Sequence, residues 1–169
     1  RRGLDVRTVD TGIAGASNVF RHVSRRAGVV VGLLDIVKGA VAVALARAVD
    51  LGPWLVFGAG AAAIVGHWWP LFGGLHGGVG AATAIGAVAT VLPAATLIAV
   101  PFGLVALLWA RKPTPAASTL LAVAVVVAVL LDTPVWQVAV AAGLSVMVLV
   151  RAVTWRTPRR PASDPERTR

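Results

Sequence analysis

The residues of this 169-residue chain best suited to chemistry stand in three short stretches. In "DIVKG", residues 35–39, Asp35 and Lys38 are three apart, so on a helix they share a face and can pair. A charge at the centre of a membrane helix costs about 2.5–3.5 kcal/mol on insertion scales, so such a pair marks either a functional site or an ion pair that orients helices. In "GHWWPLFGGLHGGVGAAT", residues 66–83, His67 closes one apolar segment, while His76, Gly77, Gly78 and Gly80 lead into the next. Glycines there expose backbone N–H groups at a helix N-terminus, which attracts anions. In "DTGIAGASNVFR", residues 10–21, Gly12, Gly15 and Ala16 permit a tight loop. Ser17 and Asn18 can cap a short helix running to Arg26, with Arg21 one turn on. This pattern fits a phosphate cradle, and it equally fits a capped interfacial helix whose arginines touch lipid headgroups.

The elements that must hold these groups are apolar. Hydrophobic residues make up 57% of the chain and charged ones only 14%, against about 45–50% and 25% in soluble domains. Mean hydropathy is +0.82, and runs such as "TLLAVAVVVAVLL" (119–131) suit hydrocarbon better than a core. The fold expected is an all-α, polytopic membrane helix bundle. About six membrane helices are read, at 28–49, 53–67, 79–92, 93–110, 116–131 and 134–154. Several fall short of the roughly 20 residues that span a bilayer, so tilt or shielding by neighbours is implied. Pro53, Pro93 and Pro134 sit at helix starts, where a missing N–H costs little, and Pro101 should kink the fourth helix. Small residues such as those of "GAGAAAIVG" (58–66) let helix backbones approach closely. Residues 1–155 form a single membrane domain, and the Pro- and Arg-rich segment 156–169 reads as a disordered basic tail.

The absence of cysteine excludes thiolate and disulfide chemistry, and three histidines without it make no familiar zinc spacing, so no metal is expected. A net charge of +9 could suggest nucleic acid. The basic residues instead gather at both ends and in "ARKPTP" (110–115), which is the pattern of topology signals and headgroup anchors. No nucleic acid is therefore expected. With six crossings, segments 1–27, 68–78, 111–115 and 155–169 share the side that holds Arg1, Arg2, Arg7, Arg21, Arg25, Arg26, Arg111 and Lys112. The positive-inside rule places that side in the cytoplasm. Trp54 and Trp136 should mark one interface, and Trp68, Trp69, Trp109 and Trp155 the other.

Taken in order, the three stretches resemble the bacterial membrane family of acyl-phosphate:glycerol-3-phosphate acyltransferases. That family carries GSGNxGAxNxxR, then DxxKG, then GHxxPxFxxFKGGKGxAT, then an arginine-histidine-asparagine motif after the last helix. In the first motif Gly12, Gly15, Ala16, Asn18 and Arg21 match, Thr11 stands for serine and Ile13 replaces asparagine. Asp35, Lys38 and Gly39 keep the second intact, and Gly66, His67, Pro70, Phe72, Gly77, Gly78, Gly80, Ala82 and Thr83 match in the third. Both lysines of that motif are gone, one to His76 and one to Val79, while after the last helix Arg151 stays and Ala152 and Trp155 replace histidine and asparagine.

The resemblance implies a seven-helix enzyme of the bacterial inner (cell) membrane, here lacking one N-terminal helix as though the chain began internally. It implies transfer of a fatty acyl group from acyl phosphate to glycerol 3-phosphate, giving lysophosphatidic acid for phospholipid synthesis, with no cofactor. It further implies His67, Asp35 and Lys38 as the catalytic group. Thr11, Gly12, Gly15, Asn18, Arg21, His76, Gly77, Gly78, Gly80 and Arg151 would bind substrate phosphate. The partners are the two substrates and membrane lipids, and the expected state is a monomer. The alternative on the same fold is a catalytically silent paralogue that binds a lipid phosphate or a partner protein. A small-solute transporter would rest on the Asp35–Lys38 pair alone.

Overall fold

Prolines and short polar breaks divide the apolar sequence into helices. The computed structural model describes residues 15–70 and 77–154. Among these lie α1 (Ala16–His22), α2 (Arg25–Ala48), α3 (Gly52–Trp68), α4 (Ala81–Val91), α5 (Pro93–Ala110), α6 (Pro113–Leu130) and α7 (Val135–Thr154). Pro53, Pro93 and Pro113 occupy first-turn positions of α3, α5 and α6, where their missing N–H would be unsatisfied anyway. The turns after α2 and α6 each place an aspartate in the left-handed region, Asp50 at φ 49° and Asp132 at φ 50°, a conformation that Asp tolerates through local hydrogen bonding.

Three boundaries differ from the sequence reading by three residues or more. The first short helix ends at His22 rather than Arg26, and Ser17 and Asn18 lie inside it behind Gly15 as N-cap. The reason is Ser24, whose hydroxyl accepts the Ala27 N–H at 3.5 Å and starts α2 three residues earlier than expected. Helix α6 likewise starts at Pro113 instead of 116, because proline disrupts a helix only beyond its first turn. Helix α5 runs through Pro101 from Pro93 to Ala110.

The short helix α4 is the centre of the bundle and carries buried Thr83, Ala84, Gly86, Ala87, Val88 and Val91. It meets α2 backbone to backbone. A Cβ on Gly39 would lie 1.9 Å from the Thr83 carbonyl oxygen, and one on Gly86 would lie 1.9 Å from that of Ile36. Only glycine at both positions allows this approach. Around the contact, Val43, Ile64, Leu121, Leu144 and Val148 are fully buried. The exterior is the inverse of a soluble protein: Leu108 is 78% exposed and Leu130 76%, side chains that belong in hydrocarbon. Four helices, α2, α5, α6 and α7, are long and apolar enough to cross a membrane, while α3 has 17 residues and α4 only 11.

That short length has a positional consequence. At 1.5 Å per residue, α4 is about 16 Å long and covers roughly half of a ~30 Å hydrocarbon layer. Its N-terminal glycines are therefore recessed. Asp35 sits ten residues into α2 from Arg25, about 15 Å along the helix, and so matches their depth.

Candidate functional site

A polar group recessed in an apolar bundle has to find its partners there. Asp35 and Lys38 find each other and a third residue. Lys38 Nζ donates to Asp35 Oδ1 at 2.9 Å, and His67 Nδ1 lies 3.1 Å from both that oxygen and Nζ. The i,i+3 spacing in α2 supplies the first contact, and the last turn of α3 brings in His67. Asp35 and His67 are mostly buried, with side chains 14% and 13% exposed, whereas Lys38 is 41% exposed.

The geometry bears on the imidazole tautomer. When Asp35 accepts a hydrogen bond from Nδ1–H, the neutral imidazole carries its lone pair on Nε2. Nε2 faces the glycine loop: a Cβ on Gly78 would lie 2.8 Å from it. Glycine at 78 thus leaves room for the Nε2 edge of His67.

The loop itself is locked by backbone hydrogen bonds. The Gly77 N–H donates to the Trp68 carbonyl at 2.9 Å, and a Cβ on Gly77 would lie 1.8 Å from the His67 carbonyl oxygen. The Trp68 indole N–H donates to the Val79 carbonyl at 2.7 Å. Gly80, at φ +82°, turns the chain into α4, a left-handed conformation that costs glycine no Cβ penalty. Behind the loop, the Arg151 guanidinium stacks 5.4 Å from the Trp68 ring centroid and 5.5 Å from that of Trp69. Trp68 therefore ties the end of α3 to the residues that lead into α4.

These groups open on one cavity of about 530 Å³. Of the residues singled out in the sequence, Gly15, Asn18, Arg21, Asp35, His67, Gly78 and Gly80 line it. Lys38, Gly77 and Arg151 are not in its lining: Lys38 contacts Asp35, Gly77 belongs to the loop, and Arg151 packs on Trp68 and Trp69. Thr11, Gly12, His76, Trp155 and the tail lie outside the described residues. The sequence reading missed the opposite wall, made by Ile85, Val100, Gly103, Leu104, Leu107 and Leu120 with Lys112 and Thr114 at its polar end. The start of α4 and the end of α5 share this cavity, so the two helices form an antiparallel hairpin with α6 returning alongside. One signal was available in sequence: "ARKPTP" is a basic connection between two apolar segments, and by itself it speaks only of topology.

A recessed histidine–aspartate pair, a glycine loop at a helix start and a cavity running from polar to apolar walls define a membrane-embedded enzyme site for an amphiphilic substrate. The chain belongs to the glycerol-3-phosphate acyltransferase family, whose model matches residues 1–157. A glycerol-3-phosphate acyltransferase of Thermus thermophilus is 36% identical over 137 residues, covering 81% of this chain and 69% of that protein. The crystal structure of PlsY, an integral membrane glycerol 3-phosphate acyltransferase, in its glycerol 3-phosphate form superimposes with TM-score 0.78 and 31% identity over 90% of this chain and 76% of that one. The lysophosphatidic acid form of PlsY gives TM-score 0.73 at 31% identity, over 83% and 72% of the two chains.

Proposed function

We propose that this chain transfers a fatty acyl group from acyl phosphate to the 1-hydroxyl of glycerol 3-phosphate, releasing lysophosphatidic acid and inorganic phosphate. The observation that carries the reading is that His67 and Gly78 line one cavity, with Nε2 beside Gly78 and Nδ1 3.1 Å from Asp35 Oδ1. The acceptor hydroxyl oxygen attacks the acyl carbonyl carbon, and its proton passes to Nε2. The tetrahedral intermediate collapses, the carbon–oxygen bond to phosphate breaks, and the proton returns to the leaving phosphate. Asp35 stabilises the imidazolium formed between these steps, as a carboxylate does behind any catalytic histidine. Lys38 holds Asp35 in place through the contact at 2.9 Å. Arg21 and the backbone of Gly15, Gly78 and Gly80 face the phosphate of the acceptor, and the apolar wall takes the acyl chain.

On this reading the chain crosses the bacterial inner membrane six times as a monomer, with the cavity open to the cytoplasm, the side on which the positive-inside rule puts the basic segments. A second reading has one observation in its favour. Val79 packs against the core, so the loop carries no cation there, as a silent, phosphate-binding paralogue would allow. One assay separates them: purified protein in detergent, given palmitoyl phosphate and radiolabelled glycerol 3-phosphate, forms labelled lysophosphatidic acid under the first reading and none under the second.

A further inference from the structure

Two phosphate-bearing substrates in one cavity need fixed positive charge in two places. Among the described residues lining it, the arginine and lysine side chains are Arg21, from α1, and Lys112, from the start of α6. They come from different elements: Arg21 lies on α1, whose N-cap is Gly15, while Lys112 directly precedes α6, whose Leu120 lines the cavity together with Leu104 and Leu107 of α5.

Lys112 is exposed where it lines the cavity. It occupies the N-cap position of α6 in extended conformation, between Arg111 in the left-handed region and Pro113, which fixes the helix start. Among the described residues it has no hydrogen-bond or ion-pair partner. The α6 terminus could not hold a phosphate well by itself, because Pro113 and Pro115 remove two of its first N–H groups. The loop at 77–80 contributes no cation, and the Val79 carbonyl is taken by Trp68.

We infer that Lys112 anchors the terminal phosphate of a monosubstituted phosphate whose hydrocarbon chain lies along α5 and α6, which on the transferase reading above is the acyl phosphate donor. The acceptor phosphate, lacking a chain, stays with Arg21.

The test measures binding of hexadecyl phosphate, a donor mimic that cannot transfer its chain, to the purified full chain in detergent by calorimetry. Lys112→Met should weaken it about tenfold, as loss of one charge-assisted contact does, and Lys112→Arg should restore it to within threefold. Hexadecanol and glycerol 3-phosphate should bind all variants alike. Arg111→Asn, which removes the neighbouring charge at a residue outside the cavity and suits the left-handed conformation, should change nothing beyond twofold. Unchanged hexadecyl phosphate binding in Lys112→Met would overturn the assignment, as would an equal loss in Arg111→Asn or a loss confined to glycerol 3-phosphate. If the parent forms lysophosphatidic acid while Lys112→Met binds the probe normally, only the role of Lys112 falls. If the parent binds the probe through Lys112 yet transfers nothing, the transferase reading falls and the chain-linked phosphate site stands. A parent that neither binds nor transfers overturns both.

Discussion

The two walls of the cavity are built on different physics. The wall made by α1, α2, the end of α3 and the start of α4 is fixed by directional contacts: the Asp35–Lys38–His67 cluster, the Trp68–Val79 hydrogen bond and the Gly39–Gly86 crossing. The wall made by α5 and α6 has apolar side chains with no polar partner to satisfy, apart from Lys112 and Thr114 at its rim. Directional contacts hold reacting atoms to within tenths of an ångström, whereas apolar packing sets only volume. The first wall therefore suits the chemical step, and the second suits a substrate part that varies in length. Substitutions in the first should act on turnover, and those in the second on which donor is used.

The largest effect is expected at His67. If His67 is the proton acceptor of the proposed mechanism, His67→Ala should lower kcat about 10²–10⁴-fold, measured as initial rates of lysophosphatidic acid formation, with hexadecyl phosphate still bound. Retained turnover would move the chemistry off this wall. Gly78→Ala comes next. Its Cβ would sit 2.8 Å from Nε2, so His67 must rotate away or the loop must shift, and a loss of about 10–10²-fold in kcat is expected because small misplacement is costly. A variant of normal rate and normal melting temperature would show that Nε2 does not meet substrate past Gly78.

The structural counterpart is Gly39. There the obstacle is the Thr83 carbonyl at 1.9 Å, backbone that cannot rotate aside. Gly39→Ala should destabilise by about 1–3 kcal/mol as overpacking does, read as a lowered melting temperature in detergent. A melting temperature equal to the parent's would mean the α2–α4 crossing is looser than its geometry.

How much could be read in advance followed the same division. The polar wall was legible because Asp35, Lys38, His67 and the glycines are improbable in a membrane helix and stand at telling spacings. Even so, the Lys38–His67 contact spans 29 positions, and no local spacing reveals it. The apolar wall was not legible. Leu104 and Leu107 look like any lipid-facing leucines until α5 folds back along α4, and Lys112 looks like a topology signal until α6 brings it to the rim. Helix existence followed from hydropathy, while the ends depended on local details such as the Ser24 cap and the proline-led start of α6.

A subtler test concerns whether Asp35 and Lys38 act together. Lys38 is 41% exposed, so solvent screens the pair and its worth is below that of a fully buried ion pair. Melting of Asp35→Asn, Lys38→Met and the double variant should show a coupling of about 0.5–1 kcal/mol, the low end for residues in contact. Strictly additive effects would make the two charges mere neighbours, and the orientation of His67 would then rest on Asp35 alone.

The smallest effect is expected on the apolar wall, where it is also the most diagnostic. Leu107 lines the cavity yet is 39% exposed, so its side chain is shared between the cavity and the exterior. If an acyl chain lies there, Leu107→Ala lengthens the trough and Leu107→Phe shortens it. One buried methylene is worth about 0.8 kcal/mol, roughly fourfold in affinity, and partial exposure reduces that. The ratio of kcat/KM for sixteen- over twelve-carbon acyl phosphate should rise about two- to threefold in Leu107→Ala and fall by a similar factor in Leu107→Phe. The KM for glycerol 3-phosphate should stay constant in both, because the acceptor has no chain to place. Competition between the two donors in one reaction measures the ratio directly and cancels differences in enzyme concentration. Should both variants keep the parent's ratio, Leu107 faces lipid only and the donor chain leaves the cavity elsewhere. Should the ratio instead respond to Gly78→Ala, the separation of chemistry from chain recognition between the two walls would itself be wrong.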